Sequence, residues 1–187
     1  MIYINDQIDQ IDQIDLEKML ATIPAQRREQ ALRYKHELGR RLCVAAYMLL
    51  TEALRTEFGI TEYPVFEYGP HDKPFIQGHP DIHFNLSHCH EAAACIVARH
   101  PVGIDIESIG RYKESLMRYT MNETEAEAIR RALRPDIEFI RYWTMKEALL
   151  KKTGEGIRND MKNVLTGNET FTTIINQAKG YICTATS

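Results

Sequence analysis

The chain has 187 residues, 44% of them apolar, and a formal charge of −3 at pH 7. That is enough apolar chain for one large domain or two small ones with a real core, and the slight acidic excess excludes a general nucleic-acid binder, whose phosphate-tracking face needs a basic surplus. The four cysteines, Cys43, Cys89, Cys95 and Cys183, are scattered without a C-x-x-C pair, and no stretch approaches the roughly 20 apolar residues of a membrane helix, so zinc-knuckle, dithiol-redox and membrane-spanning classes drop out.

In chain order, Ile2-Tyr3-Ile4 reads as a short strand after a start with no basic-then-apolar leader, which points to a cytoplasmic protein with free thiols. The tripeptide repeat Gln7 to Asp15 fits neither strand nor α-helix and is expected to be a surface connection or weak helix. Leu16 to Leu20 continues as a short helix, and Pro24 suits the first turn of the next, Ala25 to His36. That helix carries Arg27, Arg28, Arg33, Lys35 and His36, either a solvated face or a cationic rim for a multiply phosphorylated ligand. Leu38 to Phe58 has the three- and four-residue apolar spacing of a core helix, stopped by Gly59. Arg40 and Arg41 oppose its dipole near the start, a conflict that an anionic ligand would relieve.

Val65 to Tyr68 reads as a strand, residues 69–75 as a turn presenting Lys73, and Ala92 to Ala98 as a buried strand. Arg99-His100-Pro101 links it to a strand in which Asp105 and Glu107 project from one face. Thr120-Met121-Asn122-Glu123 has the form that opens a helix and would carry Ala126, Ile129 and Leu133 inward. A second helix starts at Arg134-Pro135-Asp136 and ends at Gly154, with Trp143, Glu147 and Lys151 on one stripe. Phe171 to Ile175 and Gly180 to Thr184 close the chain as strands.

Three carboxylates, Asp105, Glu107 and Glu147, with Lys151 beside them would fill the oxygen shell of Mg²⁺ around a phosphate ester. Ordinary readings stand alongside: Glu147 and Lys151 as a common helix pair worth about 0.3–0.5 kcal/mol, Trp143 as a core anchor, and Asp105 and Glu107 as a solvated strand edge. His79, His83, His88 and His90 suggest a zinc site instead, though none of their spacings is an H-E-x-x-H motif.

The ordered pair Val102-Gly103-Ile104-Asp105-Ile106-Glu107 and Trp143-Thr144-Met145-Lys146-Glu147-Ala148-Leu149-Leu150-Lys151 resembles the signature of the 4′-phosphopantetheinyl transferases, V-G-I-D-x-E followed by W-[ST]-x-K-E-[AS]-x-x-K. Lys73-Pro74, the element His83-Phe84-Asn85-Leu86-Ser87-His88 and the ending Lys151 to Ile157 fall in the family's order and are similar to its surfactin-synthetase-activating (Sfp) type. The resemblance implies an α+β fold of two similar halves, 1–100 and 101–187, related by a pseudo-two-fold with the coenzyme cleft between them. It implies an enzyme that moves the 4′-phosphopantetheine of coenzyme A to a serine of an apo acyl or peptidyl carrier protein, releasing 3′,5′-ADP. Mg²⁺, with Mn²⁺ as the alternative, would be held by Asp105, Glu107 and Glu147. Coenzyme A would be contacted by Arg41, Lys73, Pro74, Ser87 and His88, with Asp105 and Lys151 at its phosphates. Glu147 would be the general base, Lys151 the counter-charge and Lys146 a supporting ion pair, while a phosphate dianion would raise the His88 pKa.

The type implies a monomer with no nucleic-acid or membrane partner, and carrier docking is expected around Tyr112 to Tyr119, where Arg111, Lys113, Met117 and Arg118 cluster. Departures from the pattern are Gln26 and Glu29 where lysines are usual, Cys89 in place of a serine, and a short tail, for which one terminal element is expected to be absent. Arg27, Arg28 or Arg33 would then take over the phosphate contacts. The rival readings are a silent coenzyme A-binding protein, which ought to lack a metal carboxylate, and a histidine-cluster metal hydrolase.

Overall fold

The computed structural model describes the chain apart from residues 70–72, 111, 155 and 157–159. Its first half runs β1 (Ile2–Asn5), a 3-10 turn (Ile8–Gln10), α1 (Gln13–Thr22), α2 (Ala25–Leu32), α3 (Glu37–Phe58), β2 (Phe66–Tyr68), β3 (Pro74–Ile76), β4 (His83–His88) and β5 (Ala93–Ala98). Of the two readings of the tripeptide repeat, the helical one holds, as a 3-10 turn and the start of α1, and the surface connection does not: Ile8 and Ile11 are buried in the core, though Ile14 faces solvent. A period of three is that of a 3-10 helix, so the repeat suits the turn at Ile8–Gln10 before α1 takes over. Asp12, in the same repeat, caps α1 by accepting the Asp15 N–H at 2.8 Å.

The expected core helix is α3, which buries Leu42, Ala45, Ala46, Leu50 and Ala53 and ends at Gly59 with φ 69°, a left-handed conformation that L side chains rarely adopt. It packs with α1 on an antiparallel sheet of order β1-β5-β4, against Phe84, Cys95 and Val97. Strands β2 and β3 form a separate antiparallel pair.

The second half runs β6 (Gly103–Ser108), α4 (Glu114–Thr120), α5 (Glu123–Arg131), α6 (Pro135–Thr153), a 3-10 turn (Met161–Asn163), β7 (Phe171–Asn176) and β8 (Tyr181–Thr186). Its sheet has the order β6-β8-β7. The two sheets pack on each other through Ala94 and Ile96 from one and Ile104, Ile106, Cys183 and Ala185 from the other. A third apolar cluster, with Met117, Ile129, Phe139 and Ile182, lies beneath α4, α5 and α6.

Two expectations need correction. The capping box that opens α5 is Asn122 with Glu125, each accepting the other's backbone N–H at 2.9 Å, and not the Thr120 start. Leu133, expected inward, is 97% exposed, because α5 stops at Arg131 and residue 133 falls in the turn into α6. No helix among the described residues is long and apolar enough to cross a membrane.

Candidate active site between β6 and α6

The site exists because β6 runs against the backbone of α6. A Cβ on Gly103 would lie 1.9 Å from the Ala148 carbonyl oxygen, so only glycine permits the approach. With Ile104 and Ile106 turned to the inter-sheet core, Asp105 and Glu107 take the other face, as the pleat requires. The α6 stripe brings Glu147 and Lys151 to the same place.

Asp105 is 3% exposed. Its Oδ1 accepts the Lys151 ammonium at 2.5 Å and the Ser87 hydroxyl at 2.9 Å, and Lys151 also donates to Ser87 Oγ at 2.9 Å. Ser87 comes from β4, so the cluster joins both halves of the chain. The second oxygen, Asp105 Oδ2, and Glu147 Oε1 are buried with no hydrogen-bond partner among the described residues. Burial is the main cause that pushes the Glu147 carboxyl above its ordinary range; the charges of Asp105 and Glu107 push the same way and Lys151 opposes them. Two orphaned buried oxygens among three mutually repelling carboxylates suit a hard divalent cation, which would offset that charge and fill those lone pairs. As the side chains stand, no group of three His, Cys, Asp or Glu among the described residues is arranged to hold a metal ion. The expected zinc alternative fares no better, since His88 meets the Tyr34 hydroxyl at 3.3 Å and His90 meets Glu91 at 3.5 Å.

Two cavities flank the cluster. One, of about 340 Å³, is lined by Glu107, Lys113, Leu116, Phe139, Ile140 and Trp143. Trp143 is thus only partly the core anchor expected of it. The other, of about 300 Å³, includes Arg27, Tyr34, Pro74, Asn85 and His88 in its lining. There the His88 pKa is pushed down, first by burial and then by the Lys151 and Arg27 charges. The rise expected beside a phosphate belongs to the liganded protein; without an anion, burial and two cationic neighbours act in the other direction. An arriving anion would offset both causes of like-charge repulsion.

The remaining anticipated residues lie around this centre. Lys73 donates to the Lys152 carbonyl at 2.6 Å across the last turn of α6, and burial pushes its pKa down. Arg41 pairs with Glu37 one turn back on α3, leaving its Nε buried and unpartnered among the described residues. Of the three substitute arginines, Arg27 reaches the second cavity; it is braced by Gln30, by the Cys43 carbonyl and by the Tyr47 and Phe66 rings. Gln26, standing where the resemblance leads one to expect lysine, pins β2 instead by bonding both backbone groups of Phe66.

Lys146 is 0% exposed and gives its three protons to the Glu125 carboxylate at 2.7 Å, the Met161 carbonyl at 2.7 Å and the Thr120 carbonyl at 3.0 Å. The supporting ion pair is therefore a core cross-link tying α6 to α4 and α5. Sequence reasoning missed its partner Glu125, and it missed Tyr34 and Asn85 beside His88. The S/T/N-x-x-E spacing at Asn122 hinted at the first and the His83 to His88 element contained Asn85, whereas nothing local pointed to Tyr34.

A buried carboxylate–lysine centre flanked by two cavities, one of them bordered by Arg27 and His88, is the chemistry this fold assembles. The family model described as the 4′-phosphopantetheinyl transferase superfamily matches residues 101–185, which span β6, α6 and the closing strands. The chain is similar to a 4′-phosphopantetheinyl transferase of Bacillus subtilis, 31% identical over 148 residues covering 75% of this chain and 64% of that one. It is 35% identical over 116 residues to the 4′-phosphopantetheinyl transferase gsp of Aneurinibacillus migulanus (60% and 47%), and 25% identical over 153 to the Sfp protein of Bacillus subtilis strain 168 (79% and 67%). The chain thus spans two thirds or less of the first relatives it matches. Residues 101–185 thus match the model of the 4′-phosphopantetheinyl transferase superfamily, and the chain's relatives are of the Sfp-like type.

Proposed function

We propose that the protein transfers the 4′-phosphopantetheine group of coenzyme A to a serine of an apo acyl or peptidyl carrier protein. The observation that carries this reading is the convergence of Asp105, Glu147, Lys151 and Ser87 where β6, α6 and β4 meet, with two carboxylate oxygens buried and unpartnered among the described residues. In the reaction the serine oxygen bonds to the β-phosphorus, the bridging P–O bond breaks, and 3′,5′-ADP leaves. Asp105, Glu107 and Glu147 would hold Mg²⁺, or Mn²⁺ in its place, and the ion would neutralise charge on the pyrophosphate. Glu147, whose proton affinity is raised by burial, takes the serine proton. Lys151 offsets charge on the departing nucleotide, and Asp105 keeps Lys151 and Ser87 in place until the substrate arrives.

Coenzyme A would lie between the halves, its phosphates against Ser87, His88 and Lys151. Lys73, Pro74 and Arg41 would contact its nucleotide end, with Lys73 leaving the Lys152 carbonyl to do so. The halves, 1–100 and 101–187, are read as repeats related by a pseudo-two-fold. In support, each sheet pairs its first strand with its last and its last with the one before, as β1-β5-β4 and β6-β8-β7. The carrier would dock along Tyr112 to Tyr119, where Lys113, just before α4, and Leu116 within it border the cavity that contains Glu107; Arg111, also expected there, lies outside the described residues. Four buried free cysteines suit a reducing, cytoplasmic setting, and two halves in one chain suit a monomer.

The test is incubation with coenzyme A, Mg²⁺ and several apo carrier proteins, followed by mass spectrometry for a phosphopantetheine adduct. Asp105→Ala and Glu147→Ala should abolish the adduct; full activity in either contradicts the site. Coenzyme A binding without an adduct from any carrier would favour the silent binding protein.

A further inference from the structure

The two sheets are joined by side chains and not by a continuous backbone ladder. Strand β6 is an edge strand, paired only with β8 in its own sheet. Ile104 and Ile106 are 0% exposed, so N–H groups on the free edge of β6 have no water to turn to and must be satisfied by protein. Asn85 Oδ1 accepts the Ile104 N–H at 3.0 Å and Ser87 Oγ accepts the Ile106 N–H at 3.3 Å. Both pairs are two residues apart, so the side chains from one face of β4 repeat with the same period as the N–H groups of β6. The alternate β4 residues Phe84 and Leu86 pack into the other core. Asp105 lies between the two bonded amides, and its carboxylate meets Ser87.

We infer that Asn85 is a positioning residue: with Ser87 it forms a two-rung side-chain ladder that fixes β6 against β4, and so fixes Asp105 relative to Ser87, His88 and Lys151. Ser87 is shared with Asp105 and Lys151, so Asn85 is the rung that can be altered without touching the carboxylate–lysine cluster. The inference rests on the transferase reading for its catalytic half, and on the hydrogen bonds alone for its structural half.

The experiment compares wild type, Asn85→Ala and Asn85→Asp by site-resolved amide hydrogen exchange and by steady-state transfer to an apo carrier protein. In Asn85→Ala, exchange at the Ile104 amide should rise at least about tenfold while amides of β7 bonded to β8, with β8 between them and β6, keep their protection. The kcat should fall by about 10–100-fold, as it does when a partner that orients a reacting group is lost. Asn85→Asp keeps an accepting oxygen, so it should keep the Ile104 amide protected, and it serves as the folded test should the alanine variant fail to fold. Unchanged exchange at Ile104 in the alanine variant, a deprotected Ile104 in the aspartate variant, or raised exchange with undiminished kcat would each overturn the inference. Wild-type protein that modifies no carrier would instead sink the transferase reading, and the exchange result would still decide the ladder.

Discussion

Lys146→Met is the sharpest test of how α6 is held. Methionine keeps the buried stem but removes all three protons, leaving the Glu125 carboxylate, 7% exposed, with the Asn122 N–H as its remaining partner among the described residues. Taking one partner from a buried ion pair is destabilising by about 3–5 kcal/mol, and the Thr120 and Met161 carbonyls lose their bonds as well. Against a total stability of about 5–15 kcal/mol this is a large fraction, equivalent to a drop in melting temperature on the order of 10 °C for a chain of this size. Urea unfolding of wild type, Lys146→Met, Glu125→Gln and the double variant would measure it. The double variant should be less destabilised than the sum of the single ones, by about 1–3 kcal/mol, because it buries no uncompensated charge. A loss under about 1 kcal/mol in Lys146→Met, or strict additivity, would refute the reasoning.

Other outcomes follow from the same structure. Glu147 has its folded pKa raised by burial, so its contribution to stability is fully present below the ordinary value of 4.5 and is lost as pH rises through the folded value. In the presence of a chelator, Glu147→Gln should therefore melt above wild type at pH 7 and level with it at pH 4; equal melting at both would show that the carboxylate is not strained. Gly103→Ala drives a methyl into the Ala148 carbonyl and should destabilise by about 3 kcal/mol or prevent folding, checked by circular dichroism of the purified variant. Leu133→Ser, at a position 97% exposed, should change unfolding free energy by less than about 0.5 kcal/mol; a larger loss would mean that Leu133 is packed after all.

Strand and helix periodicity located most elements because they record which face each element buries. The α3 spacing, the Asp105/Glu107 alternation and the Trp143, Glu147, Lys151 stripe are all local patterns, and each reappears in the fold. Elements with weaker patterns were read less well. The repeat was left between surface connection and weak helix because its period fits a 3-10 turn and not the two periods sought, and Leu133 looked internal because a terminating turn interrupts the helical phase.

The chain's order of residues determined by itself which face of β6 and α6 Asp105, Glu107, Glu147 and Lys151 occupy, since that follows from periods of two and 3.6 residues. Only the tertiary structure decided what they meet: that Asp105 shares Ser87 and Lys151, that Lys146 is buried on Glu125, that Lys73 reaches the end of α6, and that Asn85 bonds the Ile104 amide. These partners are 18 to 79 residues apart in sequence, and such contacts depend on how two sheets and their helices pack, a relation that no local period encodes.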